Sequence, residues 1–429
     1  MYEDFDKAHE RRQQRREELK RKRERQRLLQ RRILMIVAAA VVILGLCALV
    51  IALVHHTASP EPTEAPIPET SEPIETQPTE PQTVIDIAFA GDLNVTQKTV
   101  AAGLSDGAYD YKKVFMDVMP LLASADTTVL NLEGSLCGGP FGTDGRAPQE
   151  LAQALSAAGV DLVQMANSCA VDNGLIGLQD TLSSLRASGM EPVGAWGSSQ
   201  EFERSHGFTL RSIHGIKVAF VAFTKGVGNL GLPAGSEDCV NLLYKDYTST
   251  YQEVDTEGIT EILKAVELEK PDLTVALLHW GSEYNNQISD TQRQIVELMQ
   301  DEGVDAIIGT HSHYVQPVEF DKEKGTVVAW SLGDFFGDGE KSGTNYSLVL
   351  NLQITRDNNT GKTRISGLDY APIYTVTTET DEVSAMRILR IREAIAAYEA
   401  DGVGKVSAEI YAAMVSAQQK IASRVNPEE

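Results

Sequence analysis

The sequence predicts an α/β fold with largely parallel sheets, preceded by one transmembrane helix. Three observations carry this expectation. From residue 84 onward, short apolar runs alternate with segments of helical period. Most of those runs stop at an Asp, Glu, Asn or His, as chains do at the loop-bearing edge of a parallel sheet. Near the N-terminus, Ile33–Val54 runs for 22 residues without a charge.

The N-terminal fifth sets the topology. Residues 1–32 hold 13 Lys/Arg against 7 Asp/Glu, a net of +6, so the rest of the chain carries −29 of the total −23. An acidic bulk of that size excludes nucleic acid as a partner. The run 33–54 rises about 1.5 Å per residue as a helix and spans the roughly 30 Å hydrocarbon layer. A cleaved signal peptide has a shorter apolar core, about 7–15 residues, and a small-residue cleavage site. The flank His55–Ser59 offers no such pattern. A retained single-pass anchor is therefore expected, with the basic tail 1–32 cytoplasmic by the positive-inside rule and the long C-terminal part extracellular. Within 55–82, Thr57–Gln82 has seven prolines in 26 residues and no Lys or Arg. It reads as an extended, self-repelling spacer. The folded domain is expected over 83–378, with a helical extension over 379–429.

The domain reads in order as follows. Val84–Ala90 is a strand closed by Gly91-Asp92, and Tyr111–Ala123 a helix with Val114, Val118 and Leu121 near one face. Thr128–Leu132 is a strand with Glu133 just beyond it. Pro148–Ala158 is a helix with Pro in its first turn. Asp161–Met165 is a strand leading to Asn167. Leu175–Ala187 is a helix closed by Gly189, and Pro192–Gly197 a short strand. Phe208–Ile213 and Lys217–Thr224 pair around the turn His214-Gly215. Asp255–Glu269 and Ser289–Gln300 are helices flanking the strand Leu273–Leu278, which ends in His279. Val327–Leu332 is a strand ending in Gly333-Asp334. Tyr346–Thr355 and Arg364–Val376 form an antiparallel pair, and Glu382–Glu399 and Ser407–Arg424 are terminal helices.

The most informative stretch is Asp305–Gln316. Ala306, Ile307 and Ile308 make a buried strand, Gly309 allows a turn, and His311 and His313 follow at spacing two. In extended backbone that spacing puts both imidazoles on one side, where they suit a metal ion. Asp92, Glu133, Asn167, His279, His311, His313 and Asp334 gather at successive strand ends. Singly each has an ordinary alternative: Asp92 a turn cap, Glu133 an ion pair, His279 a satisfied core histidine. Together they form the donor set of one or two divalent cations, and carboxylate with imidazole accepts Mn, Zn, Fe or Mg. Of the four cysteines, Cys47 falls in the apolar run, which leaves Cys137, Cys169 and Cys239. An odd number excludes a disulfide framework. A Cys137–Cys169 bridge stands as an alternative to two packed thiols.

Six blocks then appear in order: AGD (Ala90–Asp92), NLEGSL (Asn131–Leu136), MANSCAVDNGLIGLQDTL (Met165–Leu182), HWGSEY (His279–Tyr284), GTHSHYVQPVE (Gly309–Glu319) and WSLGDFF (Trp330–Phe336). Over about Thr83–Phe336 this resembles the CapA proteins, linked to poly-γ-glutamate capsule synthesis in bacteria, which have a calcineurin-like metallophosphatase fold. The resemblance implies a four-layer α/β/β/α sandwich around a metal centre, with Asp92, Glu133, Asn167, His279, His311 and His313 as ligands. It also implies a membrane-anchored, outward-facing protein whose partners are the capsule polymer or capsule synthesis and export proteins.

The departures bear on chemistry. Where the family has Asn-Asn-His, this chain has Asn167-Ser168-Cys169. By the fold's logic the second Asn is a ligand and the His a proton donor. Ser replaces that Asn poorly, and Cys, with an ordinary pKa of about 8.5, replaces that His uncertainly. His311-Ser312-His313 stands for His-Pro-His, Asp334 for an Asn, and Trp196 for a small residue that would leave the cleft wider. Two functions follow. One is a metal-dependent hydrolase of a phosphoester or amide, with His279, Glu283 and Cys169 as candidates for proton transfer. The other is a non-catalytic surface binding or scaffold protein of a capsule export or anchoring complex.

Overall fold

The computed structural model describes residues 81–228, 231–379, 384–401 and 406–425. The basic tail 1–32, the apolar run 33–54 and nearly all of the 55–82 spacer lie outside the described residues. Among the described residues no helix is long and apolar enough to cross a membrane.

The strands run, in chain order, β1 (Gln82–Asn94), β2 (Leu104–Ser105), β3 (Ala108–Tyr109), β4 (Thr127–Glu133), β5 (Leu162–Gln164), β6 (Glu191–Val193), β7 (Phe208–Ile213), β8 (Ile216–Thr224), β9 (Leu273–His279), β10 (Ala306–Thr310), β11 (Val318–Asp321), β12 (Thr326–Ala329), β13 (Asp334–Phe336), β14 (Tyr346–Asp357), β15 (Thr363–Glu379) and β16 (Ser384–Arg390). Apart from the small hairpin β2-β3, they form two sheets. The first has the order β16-β15-β14-β1-β4-β5-β6, with β13 also on β1; the second is β11-β12-β10-β9-β8-β7. In the first sheet β13, β1, β4, β5 and β6 are parallel, and β14, β15 and β16 are antiparallel. In the second, β8, β9, β10 and β12 are parallel, with β7 and β11 antiparallel at the edges. The expected parallel strands therefore form one half of the first sheet, out to its β6 edge, and the centre of the second, and hairpin-connected strands complete the rest.

Strand β8 shows why its apolar run is unbroken. Val218, Phe220 and Ala222 join the core that also holds Ile85 and Ile87 of β1 and Val275 and Leu277 of β9. Ala219, Val221 and Phe223, on the other face, pack with Ile259 and Leu263 of the helix Thr256–Leu268 and Ile295 and Met299 of the helix Asp290–Asp301. A strand covered on both faces has no position for a polar residue until its end. Each fully buried side chain of this kind contributes about 1.5–3 kcal/mol. The helix starts follow side-chain caps: Asp255 accepts from Gly258 N, and Ser289 forms a capping box with Gln292.

Several elements differ from the expectation. Tyr111–Ala123 is two short helices, Lys112–Phe115 and Met119–Leu122, because Pro120 sits where a continuous helix would need an N–H donor. The strand expected over Pro192–Gly197 is only Glu191–Val193, since Gly194 turns the chain at φ +85°. The strand expected over Val327–Leu332 stops at Ala329 and the chain crosses to the first sheet as β13. The helix expected from Glu382 begins at Ile391. The preceding Ser384–Arg390 is strand β16, with Met386 and Ile388 buried against the core and Arg387 paired with Asp117. Backbone pairing along β15 outweighs the helical leaning of that stretch.

Candidate metal centre

The parallel strands of both sheets end at the same place, and their registers line up the polar residues. Across the first sheet Asp334, Asp92 and Asn131 occupy one row on β13, β1 and β4. Across the second, Thr224, His279 and Thr310 occupy one row on β8, β9 and β10. The two rows are joined by hydrogen bonds: His311 N donates to Asp92 Oδ2 at 3.0 Å, and Asn131 Nδ2 lies 3.4 Å from His279 Nδ1. A close approach makes the first row possible. A Cβ at Gly91 would lie 1.8 Å from Gly333 O, and the adjacent Asp92 N donates to that same oxygen at 3.0 Å.

Asp92 is fully buried and central. Its Oδ1 accepts from Asn131 Nδ2 at 2.6 Å. Two groups of donor atoms share it, each lying within 4.8 Å of one another: Asp92, Glu133 and His279, and Asp92, His313 and Asp334. Within the first, Glu133 Oε2 lies 3.8 Å from His279 Nε2. Ser168 Oγ lies 3.3 Å from each of these atoms. Within the second, His313 Nδ1 lies 2.8 Å from Asp334 Oδ1, and the ring stacks on Tyr284 at 4.9 Å.

Two buried polar atoms of this cluster, Glu133 Oε1 and His311 Nδ1, have no hydrogen-bond partner. An unsatisfied buried group of this kind costs about 1–3 kcal/mol. Glu133 belongs to the first donor group, so a cation held there would take up its free oxygen and the group fits a divalent metal, whereas His311 belongs to neither group.

The electrostatics agree with that fit. Burial raises Glu133 well above the carboxylate range and Asp92 beside it raises it further, because like charges in one dry site repel. Burial likewise lifts Asp334 to about 6 against the opposing pull of His313. Burial, with His311 and His313 close by, holds His279 well below 6.5. Burial, with Lys225 and His313, brings His311 down to about 3, so both imidazoles are neutral lone-pair donors. His313 is the exception: burial pushes it down, yet the hydrogen bond and charge of Asp334, with Glu133 and Asp92, carry it up to about 10.

The expected residues are not all placed alike. Asp92, Glu133, His279, His313 and Asp334 converge, and His311 lies against His279 with ring centroids 4.5 Å apart. The His-x-His segment does so by a different geometry from the extended one expected. His311 and His313 sit in a turn at φ +91° and +61°, a left-handed strain of about 1–3 kcal/mol per residue that only a well-packed surround maintains. Asn167 is buried within the cluster, and its side chain ties strand ends together. Its Nδ2 donates to Asn131 Oδ1 and Leu132 O, and its Oδ1 accepts from Cys169 N. Cys169 Sγ lies 4.0 Å from Glu133 Oε2, and burial raises its thiol well above the ordinary value. Cys137, Cys169 and Cys239 are free thiols, so the Cys137–Cys169 bridge is absent. Glu283 is exposed on the loop after β9, outside the buried cluster. Trp196 is buried and packs edge-on against Phe202.

Two further residues belong to the neighbourhood. Asn131 positions Asp92, and its place one residue inside the strand hid it. Lys225, one residue past β8, is half-buried, donates to Gly281 O at 2.7 Å and lies over the Tyr251 ring. The strand-end rule that picks out His279 applies to Lys225 equally.

Comparison with known proteins bears on the family. Residues 86–338 match the family described as bacterial capsule synthesis protein PGA_cap. The chain belongs to that family. Among curated members of similar sequence, the PGA biosynthesis protein CapA of Bacillus subtilis is 25% identical over 313 residues, covering 72% of this chain and 77% of that one. The capsule biosynthesis protein CapA of Bacillus anthracis is 29% identical over 216 residues, half of this chain and 49% of that one. Solved structures align loosely. The calcineurin-like phosphoesterase YfkN of Bacillus subtilis has a TM-score of 0.39 at 17% identity, over 80% of this chain and 98% of that one. A Mycoplasma pneumoniae phosphatase has a TM-score of 0.41 at 13% identity, over 68% of this chain and 94% of that one.

Proposed function

We propose that this PGA_cap protein is a metal-dependent hydrolase of a phosphoester or amide, acting in the synthesis of a capsule or cell-envelope polymer. In this reading, residues 33–54 anchor it in the membrane, 1–32 stay in the cytoplasm, and 55–82 hold the domain out from the surface. The domain would be the four-layer α/β/β/α sandwich of the metallophosphatases. The observation that carries the reading is the pair of buried donor groups sharing Asp92, in one of which Glu133 keeps a buried oxygen with no hydrogen-bond partner.

Asp92, Glu133 and His279 would hold one cation, and Asp92, His313 and Asp334 a second. A divalent cation, when bound, supplies Lewis acidity and brings the pKa of water toward about 7. The chain's own residues supply the rest. Ser168 Oγ lies within hydrogen-bond reach of both Glu133 and His279 and steadies the two side chains that would hold the first cation. Cys169 carries its proton at neutral pH, because burial keeps the thiol neutral. Asn131 and the His311 backbone N–H hold both oxygens of Asp92 in place.

The test is total metal analysis of the purified full-length chain, with turnover of a generic phosphoester and amide before and after chelation. The reading requires a bound divalent ion, activity lost on chelation and restored by metal, and loss of both in Asp92→Asn. A chain that takes up no metal after supplementation overturns it.

A second reading, a surface binding or scaffold protein, is favoured by one observation: Ser168 and Cys169 stand where a ligand and a proton donor are expected, and the neighbouring Asn167 is fully engaged in holding the loops. Hydrolysis that appears only in the double variant Ser168→Asn with Cys169→His would select this second reading.

A further inference from the structure

We infer that the cavity between the C-terminal helix Ala408–Val425 and the loop after the second imidazole is a subsite for the carboxylates of an acidic oligomer. The inference rests on the polymer reading above and adds where the polymer lies. The cavity measures about 380 Å³ and is lined by, among others, Tyr314, Ser342, Tyr346, Lys420, Ser423 and Arg424. That size suits a few residues of a chain-like ligand.

Its charge is the first argument. The protein carries a net −23, yet among the described residues lining this cavity none is acidic and two are cationic. Lys420 and Arg424 stand four apart on one helix, so they share a face one turn apart. Like charges at that spacing repel, and among the described residues neither makes an ion pair that would relieve it. An anion between them would. The helix C-terminus favours Arg424 by its dipole, but it accounts for neither the tyrosines nor the hydroxyls. Lys420 lies over the Tyr346 ring at 5.7 Å, which holds its ammonium toward the cavity wall. The Arg424 guanidinium presents a planar fork that pairs with a carboxylate through two hydrogen bonds.

Continuity with the metal centre is the second argument. Tyr314 immediately follows His313 in the chain and lines the cavity. Its ring meets Tyr284 edge-on at 6.2 Å, and Tyr284 stacks on His313. Lys341, beside the cavity residue Ser342, lies 5.5 Å from the Tyr284 ring. A ligand reaching from the two donor groups over this tyrosine pair would thus meet Lys341 and then the Lys420–Arg424 pair. Three cations along one path match the repeating negative charge of a polymer of glutamate better than a single small anion.

The experiment measures binding of a fluorescently labelled glutamate oligomer to the full-length chain by polarisation, alongside turnover of a small phosphoester and a small amide with added metal. Wild type should bind the oligomer, with affinity that falls as salt rises, and should leave a glutamine oligomer of equal length unbound. Lys420→Ala with Arg424→Ala, and separately Ser423→Glu at the exposed mouth, should each weaken binding about ten-fold or more. Small-phosphoester turnover should not change in either variant. Equal binding of the oligomer by wild type and both variants overturns the subsite, as does equal binding of the glutamine oligomer. If the variants lose binding while neither a small phosphoester nor a small amide is turned over with any metal, the subsite stands and the hydrolase reading falls. If turnover is normal and wild type ignores the oligomer, the reverse holds.

Discussion

His313 Nδ1 and Asp334 Oδ1 meet at 2.8 Å, although the histidine follows a strand of the second sheet and the aspartate lies on the first. The pair is an imidazolium facing a buried carboxylate when no metal is bound. His313 rises to about 10 from an ordinary 6.5, so its contribution to stability is complete below pH 6.5 and disappears as pH climbs through 10. Asp334, raised to about 6, adds the same sign of slope between its ordinary 3.8 and 6. Chelated protein should therefore lose thermal stability between pH 6.5 and 10, and His313→Asn should flatten that decline. Metal should reverse the trend, because the imidazolium proton must leave before a cation binds. Calorimetric titration in buffers of different ionisation heat would reveal the released proton. A metal affinity independent of pH from 6 to 9 contradicts this account.

Asn131 holds Asp92 and touches His279 without offering a charged ligand of its own. Asn131→Leu keeps the volume and removes both contacts together with the bond from Asn167 Nδ2. It should lower metal affinity about 10–100-fold, as loss of a supporting hydrogen bond does elsewhere, and lower the stability of the chelated protein by about 1–3 kcal/mol, because Asp92 Oδ1 loses its donor. Competition with a fluorescent chelator measures it.

Gly91→Ala tests the crossing of β1 and β13. The added methyl would collide with Gly333 O, which is backbone and cannot step aside. The expected cost is about 1–3 kcal/mol of stability, read by urea denaturation. Metal affinity should fall with it, because the displaced strand carries Asp92. Retained affinity at reduced stability would mean that the row of Asp334, Asp92 and Asn131 tolerates a shift.

Ile388→Ala tests β16 as part of the first sheet. Ile388 is fully buried, and its truncation should cost about 2–5 kcal/mol. Truncating the chain after Glu379 should leave β15 with an open edge and yield aggregated protein. A soluble, unchanged domain from that truncation would mean that β16 is dispensable.

The central strands were legible because each is covered on both faces and so reads as an unbroken apolar run, as in Val218–Phe223. The converging polar residues were legible by one rule, the strand end, which reaches Asp92, Glu133, His279 and Asp334. The same rule would have reached Lys225. Elements held by long-range pairing were not legible. β13 is three residues whose partner lies some 240 positions earlier, and β16 carries a helix-forming composition that its pairing with β15 overrides. Asn131 was hidden because it lies one residue inside its strand, short of the end that the rule inspects. The strained turn at His311 and His313 was hidden because nothing local requires a positive φ there.

Strand β1 takes β4 on one side from the first third of the chain and β14 on the other from the last. Asn351 reaches back 265 positions to bond Asp86. A polypeptide emerging N-terminus first therefore holds one flank of β1, the earliest of the described strands, bare until the final quarter is made. Closure of such distant pairings is slow, and bare flanks invite aggregation. The nascent chain should accordingly depend on a holding factor until β14 arrives, and the native state should form in one late step.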